Sequence, residues 1–135
     1  MQEVLMCSLR EARKNGFVGL KEMVEQHMIS HKPYLRMNYS LEQLAEETGI
    51  RRHVLSAMIN EEYCFGFNQF INRYRVEEVK KRLRNNEIRR YTIEAIARDC
   101  GFNSRNTFIK NFKHITEQTP KEFMRSVFGS PECNN

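Results

Sequence analysis

Two short runs of polar residues carry side chains that can hydrogen-bond phosphate groups and the edges of nucleic acid bases. Each run follows a glycine, Gly49 or Gly101. The first run offers Arg51, Arg52, His53, Ser56, Ala57 and Asn60. The second offers Ser104, Arg105, Asn106, Thr107, Lys110 and Lys113. Arg and Lys suit phosphates and guanine, Asn can pair with adenine, and a small Ala can pack on a thymine methyl. These residue types suit contacts to a nucleic acid, and a solvated polar helix face is the alternative.

The elements that position these runs are repeated in the sequence. Residues 39–50 and 91–102 share the pattern Tyr-Ser/Thr-Leu/Ile-Glu-x-Leu/Ile-Ala-x-x-x-Gly-Ile/Phe. In each copy the Ser or Thr can cap a helix, the Tyr before it can pack back onto that helix, and the Glu lies where the helix dipole favours an anion. The Gly marks a sharp turn, and apolar residues at helical spacing follow it. The repeat predicts two helix-turn-helix units, with a duplicated structural hairpin as the alternative.

The apolar periodicity is helical along nearly the whole chain, without strand-like alternation over any useful length. It predicts helices at 2–14, 18–30, 41–47, 51–61, 68–85, 93–99, 104–114 and 120–127. The helix at 68–85 would be about 25 Å long and would link the two units. We therefore predict an all-α fold with two homeodomain-like helix-turn-helix subdomains, a long linker helix and extra N-terminal helices. The predicted segments are a lead-in (1–33), the first subdomain (34–67), the linker (68–85), the second subdomain (86–128) and a disordered tail (129–135).

Charge and cysteine content narrow the class of protein. The 135 residues hold 22 Lys and Arg against 17 Asp and Glu, a net charge of +5. Residues 68–90 alone hold eight basic and three acidic side chains, whereas residues 34–67 hold three and five. Attraction to a polyanion should therefore centre on the linker and on the starts of the two helices that carry the polar runs. The four cysteines are far apart, which argues against a disulfide framework, and no apolar run reaches the roughly 18 residues of a membrane helix.

The sequence gives little support to a catalytic function, because it lacks motifs that mark common enzyme and metal sites. The sequence lacks a P-loop, a G-x-S-x-G and an H-E-x-x-H motif. His27 and His31 could share a helix face, but no Glu or Cys at matching spacing completes a zinc site. We expect no enzymatic activity, no metal and no cofactor. A helical protein-interaction or dimerisation module without sequence-specific DNA readout is the alternative function, because the first unit is acidic.

The second copy of the repeat carries the most specific motifs. It reads Ile93-Glu-Ala-Ile-Ala-Arg-Asp-Cys-Gly-Phe-Asn-Ser and continues through Phe112-Lys113 to Thr119-Pro120-Lys121-Glu122-Phe123. Together with the linker stretch that begins at Phe67, residues 34–126 resemble the DNA-binding domain of the AraC/XylS family. Arg125 lies one place later than the Arg that usually ends the family's T-P-x-x-Y/F-R run.

The resemblance implies a cytoplasmic bacterial transcriptional regulator. Its two recognition helices would enter neighbouring major grooves of double-stranded DNA, and RNA polymerase would be a further partner. Because family members usually carry an effector, sensor or receiver domain, we expect this chain to be the C-terminal part of a longer regulator. A short member that consists of the domain alone is the alternative.

The resemblance also assigns roles to individual residues. The base-reading positions correspond to His53, Ser56 and Ala57 in the first unit and to Arg105, Asn106, Thr107 and Lys110 in the second. Phosphate contacts are expected from Arg51, Arg52, Asn60, Ser104 and Lys113. Ser56 and Ala57 are shorter than the Gln or Arg side chains common at these positions in the family. We therefore expect the first unit to make few hydrogen bonds to bases.

Overall fold

The computed structural model describes Phe17 and residues 19–128, and every regular element among them is helical. The helices are α1 (19–31), α2 (Leu41–Thr48), α3 (Arg52–Tyr63), α4 (Phe67–Arg84), α5 (Ile93–Asp99), α6 (Arg105–Thr116) and α7 (Pro120–Phe128). Two short 3₁₀ helices lie at Pro33–Leu35 and Glu87–Arg89. The all-α prediction is confirmed for these residues, and the predicted bounds are within two residues of those observed. The predicted helix at 2–14 and tail at 129–135 lie outside the described residues.

Contacts between residues divide the chain into two compact units. The first holds the described residues up to Pro33 together with Tyr39–Phe70. The second holds Tyr34–Asn38 and the described residues from Ile71 onward. The division falls inside α4, so the first turn of this helix belongs to the first unit and the remainder to the second. The subdomain boundaries drawn from the sequence stay predictions.

In the first unit, local signals set both ends of α2. Ser40 caps its start: its hydroxyl accepts the Gln43 N–H (3.2 Å), and the Gln43 side chain accepts the Ser40 N–H (2.9 Å). Gly49 ends the helix with φ +76°, a left-handed conformation that glycine adopts without steric cost. The chain then turns into α3. Buried side chains of α1, α2 and α3 form the core of this unit, including Val24, Leu44, Leu55 and Met58.

In the second unit, an aromatic core fixes the orientation of α6. The rings of Phe102, Phe108, Phe112 and Phe123 pack in succession at centroid distances of 5.3, 5.7 and 5.6 Å. Offset and edge-on arrangements of this kind add to the stabilisation from burial. Phe123 reaches the core from α7, whose first turn is capped by Thr119 and Glu122. Because Phe108 and Phe112 point inward, the opposite face of α6 is left to solvent.

The two tyrosines of the repeat have different environments. Tyr39 is buried, packs near the ring of Phe67 and donates its hydroxyl to Glu47. Tyr91 is 47% exposed and follows the 3₁₀ helix Glu87–Arg89. Tyr39 thus has an aromatic neighbour in Phe67, whereas Tyr91 leaves about half of its side chain in solvent.

Candidate nucleic-acid interface

The polar run of the first unit lies on one face of α3. Leu55, Met58 and Ile59 are buried, and at 3.6 residues per turn the opposite face carries His53, Ser56, Ala57 and Asn60. His53 and Asn60 are exposed, whereas Ser56 and Ala57 are partly buried. Arg51 and Arg52 are exposed at the start of the helix. The structure thus brings together the six residues predicted for this unit.

The polar run of the second unit is arranged in the same way on α6. Arg105, Asn106, Thr107, Lys110 and Lys113 are all exposed, opposite Phe108 and Phe112. Ser104 is the N-cap: its hydroxyl accepts the Thr107 N–H (3.2 Å) and donates to Thr107 Oγ1 (2.9 Å). The main role of the Ser104 side chain is therefore to start the helix. A phosphate at this position would compete for its hydroxyl.

An arginine at the start of each polar helix pairs with a glutamate from the preceding helix. Arg52 Nε lies 2.7 Å from Glu42 Oε1, and Arg105 Nε lies 3.3 Å from Glu94 Oε1. Glu42 and Glu94 occupy the same position of the repeat. The pKa of Glu42 is lowered, first by hydrogen bonding to its own backbone N–H and also by Arg52. The sequence pattern places these glutamates where the helix dipole favours an anion, but it does not indicate their pairing with the arginines.

These exposed pairs orient side chains more than they stabilise the fold, because solvent screens them strongly. A guanidinium carries five N–H donors. One carboxylate can engage at most two of them, so each arginine retains donors for a phosphate or a base. The pairing also fixes the direction in which the guanidinium extends from the start of its helix.

Some basic side chains of residues 68–90 form ion pairs or hydrogen bonds within the second unit. Arg82 pairs with Glu87 (2.9 Å) and Asp99 (3.5 Å), and Lys80 pairs with Glu77 (3.1 Å). Arg75 is partly buried and donates to the backbone carbonyls of Tyr34 and Arg36. The charge that remains exposed on this stretch includes Lys81, Arg89 and Arg90. Glu77 and Glu87 already enter the count of acidic residues, so these pairs identify the basic side chains that they engage and leave the surplus charge on the exposed ones.

Comparison with known proteins decides the family. Residues 44–126, more than half of the chain, match the family described as a helix-turn-helix domain, which is of the AraC type. The chain belongs to the AraC/XylS family of DNA-binding domains. This family is a class of DNA-binding transcription regulators and not a class of enzymes. Among the described residues, none of the helices has the length and hydropathy of a membrane span.

Curated relatives are regulators of greater length. An uncharacterized HTH-type transcriptional regulator of Staphylococcus aureus (strain COL) is 38% identical over 84 residues, which cover 62% of this chain and 11% of the relative. The uncharacterized HTH-type transcriptional regulator YijO of Escherichia coli (strain K12) is 30% identical over 84 residues, or 62% of this chain and 29% of that protein. The chain thus spans only a minor part of the relatives it matches.

Solved structures share the fold. The C-terminal domain of the two-component response regulator yesN from Fusobacterium nucleatum superposes with a TM-score of 0.63 at 25% identity, covering 78% of this chain and 98% of that one. A Listeria innocua protein of unknown function superposes with a TM-score of 0.61 at 24% identity, covering 75% and 94%. The roles assigned above to individual DNA-contacting residues stay predictions.

Proposed function

We propose that this domain binds double-stranded DNA in a sequence-specific manner through two helix-turn-helix units, α2–α3 and α5–α6. In this proposal α3 and α6 are the recognition helices, and they enter adjacent major grooves. The observation that supports this proposal is the duplication of the helix-turn-helix unit. Both glycine turns lead into a helix whose buried face is apolar and whose exposed face carries the predicted polar residues.

The two recognition helices would contribute unequally to the recognition of bases. Asn106, Arg105 and Lys110 on α6 can form hydrogen bonds with base edges, whereas Ser56 and Ala57 on α3 favour short-range and apolar contacts. His53 is the exposed side chain on α3 with the reach to read a base. We therefore infer that α6 supplies most of the direct readout. Arg51, Arg52, Asn60 and Lys113 would fix the register on the phosphates, and Ser104 would join them by exchanging its hydrogen bond to Thr107 Oγ1 for one to a phosphate.

The regulatory context follows from the relatives. Since this chain covers a small fraction of each curated relative, we propose that it is the C-terminal DNA-binding part of a longer cytoplasmic regulator of bacterial transcription. A sensor, receiver or effector domain in that protein would control it, and RNA polymerase would be a partner at the promoter. Catalysis has no part in this proposal.

Selection of bound sequences from a random duplex library tests the DNA-binding function. We expect two enriched half-sites, about one helical turn of DNA (~34 Å) apart. His53→Ala should weaken the preference in one half-site only, and Asn106→Ala in the other only, so each variant controls for the other. Failure of the chain to bind any duplex at about 50 mM salt would overturn the proposal, because non-specific binding is strong at low salt.

Protein interaction is the second candidate function. Met23 and Ile29 on α1 are 50% and 65% exposed, and exposed apolar side chains can mark contact surfaces. Concentration-dependent self-association, together with no binding to DNA, would favour this alternative.

A further inference from the structure

A partly buried arginine in α4 joins three separate segments of the second unit. Arg75 Nε donates to the Tyr34 carbonyl (2.7 Å), Nη2 donates to the Arg36 carbonyl (3.0 Å), and Nη1 donates to Asn72 Oδ1 (3.3 Å). Its guanidinium also lies 6.0 Å from the centroid of the Phe102 ring. A charge withdrawn from water must be hydrogen-bonded to persist. The three neutral acceptors therefore fix this side chain in one geometry.

The turn before α6 fits closely against the same point. Gly101 has φ +103°, and a Cβ on this residue would clash with the Tyr34 carbonyl oxygen and lie 2.7 Å from Arg75 Nε. A hydrogen bond joins the same two segments near Gly101: Asn103 Nδ2 donates to Asn38 Oδ1 (2.7 Å). The segment Tyr34–Asn38 thus packs closely against Gly101 at one end and is hydrogen-bonded to Asn103 at the other, although it precedes the first helix pair in the chain.

The hydrogen bonds continue from Arg75 to the recognition helix. Asn72 accepts from Arg75 and donates through Nδ2 to Asn111 Oδ1 (3.2 Å). Asn111 in turn donates through Nδ2 to the Thr107 carbonyl (2.8 Å). A continuous path of side-chain hydrogen bonds therefore leads from the Tyr34–Asn38 segment to the backbone of α6. It ends at a residue that we propose to lie beside the bases.

We propose that Arg75 and Asn72 are positioning residues for DNA recognition by α6. They hold the turn and the recognition helix against Tyr34–Asn38, so that this segment sets the geometry in which α6 meets DNA. The inference rests on the proposed function of α6. It assigns a regulatory role to a segment upstream of both helix pairs, because a displacement of Tyr34–Asn38 would reach the second recognition helix directly.

The packing of the turn can be measured without DNA, through the reactivity of two cysteines. Cys100 is buried and adjacent to Gly101, whereas Cys64 is exposed. Burial raises the pKa of the Cys100 thiol to about 11, which slows its alkylation because the thiolate is the reactive form. Cys64 serves as the internal reference in the same sample. Peptide mass spectrometry separates both from Cys7 and Cys133.

Arg75→Lys keeps the charge but cannot make all three hydrogen bonds, because an ammonium lacks the planar arrangement of donors. We expect the rate of Cys100 alkylation, relative to that of Cys64, to rise about tenfold. This factor corresponds to the loss of one hydrogen bond made by a charged group. Asn72→Ala should raise the rate less. Arg89→Lys, the same substitution at an exposed position, should leave the Cys100 rate unchanged.

Far-UV circular dichroism at the labelling temperature shows that each variant is folded. Asn38→Ala supplies a milder change if Arg75→Lys does not fold.

The positioning role predicts a loss restricted to one half of the DNA site. Arg75→Lys and Asn72→Ala should weaken the base preference in the half-site read by α6 and leave the other half-site as in the wild type. A merely structural role would weaken both half-sites together, and that result would overturn the proposal. An unchanged Cys100 rate in both variants would overturn it as well.

Failure of the proposed function can be told apart from failure of this inference. If the wild-type chain binds no DNA, the role in recognition falls with the proposed function. A raised Cys100 rate in Arg75→Lys would then show that the fault lay in DNA binding and not in the attachment of the turn.

Discussion

At the scale of single residues, α6 presents two kinds of polar side chain with different physical roles. Asn106 and Lys113 are both exposed, seven residues apart and thus on the same face of the helix. An amide can form two directed hydrogen bonds with one base, whereas an ammonium acts as a point charge. Substituting each should therefore affect binding in a different way.

Asn106→Ala should relax the base preference at one position of the site. The expected loss of discrimination is about 1–3 kcal/mol at that position, the value of one bidentate contact to a base. Competition binding against duplexes with single-base changes measures it. A base preference unaltered at every position would remove Asn106 from the recognition surface.

Lys113→Ala should weaken binding to all sequences about equally. The loss of one phosphate contact should make the slope of log affinity against log salt shallower by about one unit. Titrations at several salt concentrations give this slope. Lys121→Ala, on α7 and outside the proposed surface, is the matched control, and equal slopes for the two variants would contradict a phosphate contact by Lys113.

At the scale of elements, the two turns differ although the repeat aligns their glycines. Gly49 and Gly101 both have positive φ, but only Gly101 is in close contact with neighbouring atoms. Around Gly49 a Cβ would meet nothing within 4 Å. The first turn therefore needs glycine for its backbone conformation alone, whereas the second also needs it for the close approach of Tyr34 and Arg75.

Alanine at these two positions should separate the two effects. Gly49→Ala should lower the free energy of unfolding by about 1 kcal/mol, the cost of a left-handed residue with a Cβ. Gly101→Ala should cost clearly more, about 3 kcal/mol or above, because the clash is added to the strain. Urea denaturation measures both.

Gly19→Ala is the control, because Gly19 lies in α1 with open space around it, and this variant should be neutral or stabilising. Equal losses of unfolding free energy in Gly49→Ala and Gly101→Ala would refute the close packing of the second turn.

At the scale of the whole molecule, stability should depend on alkaline pH. Burial raises the pKa of Cys100 from 9.0 to about 11 and that of Tyr34 from 10.0 to about 12. Both groups bind protons more tightly in the folded chain than in the unfolded chain. Their contribution to stability is therefore complete below pH 9 and declines as pH rises through 9 to 12.

The free energy of unfolding should accordingly fall above pH 9. Cys100→Ala removes one of the two groups and should make the decline between pH 9 and 11 shallower, whatever its effect at neutral pH. Urea denaturation at a series of pH values measures the slope. An identical slope in the wild type and in this variant would show that the Cys100 thiol ionises as readily in the folded chain as in the unfolded one.

The sequence by itself determined the helices, their ends and the faces they expose. Ser40 and Thr92 act as N-caps where the pattern placed them, and Gly49 and Gly101 have the positive φ expected of sharp turns. These features were predictable because capping and periodicity act over a few residues. The exposed faces of α3 and α6 followed in turn from the positions of their apolar residues.

Only the tertiary structure decided which distant segments meet. Arg75 lies 41 residues from Tyr34, Asn72 lies 39 from Asn111, and Asn38 lies 65 from Asn103. Nothing in the spacing of these residues distinguishes them from solvated polar residues. Their contacts depend on how closely backbones approach, and that distance is set by the packing of the whole unit. The same reason explains why Glu42 was predictable as a first-turn acid and its pairing with Arg52 was not.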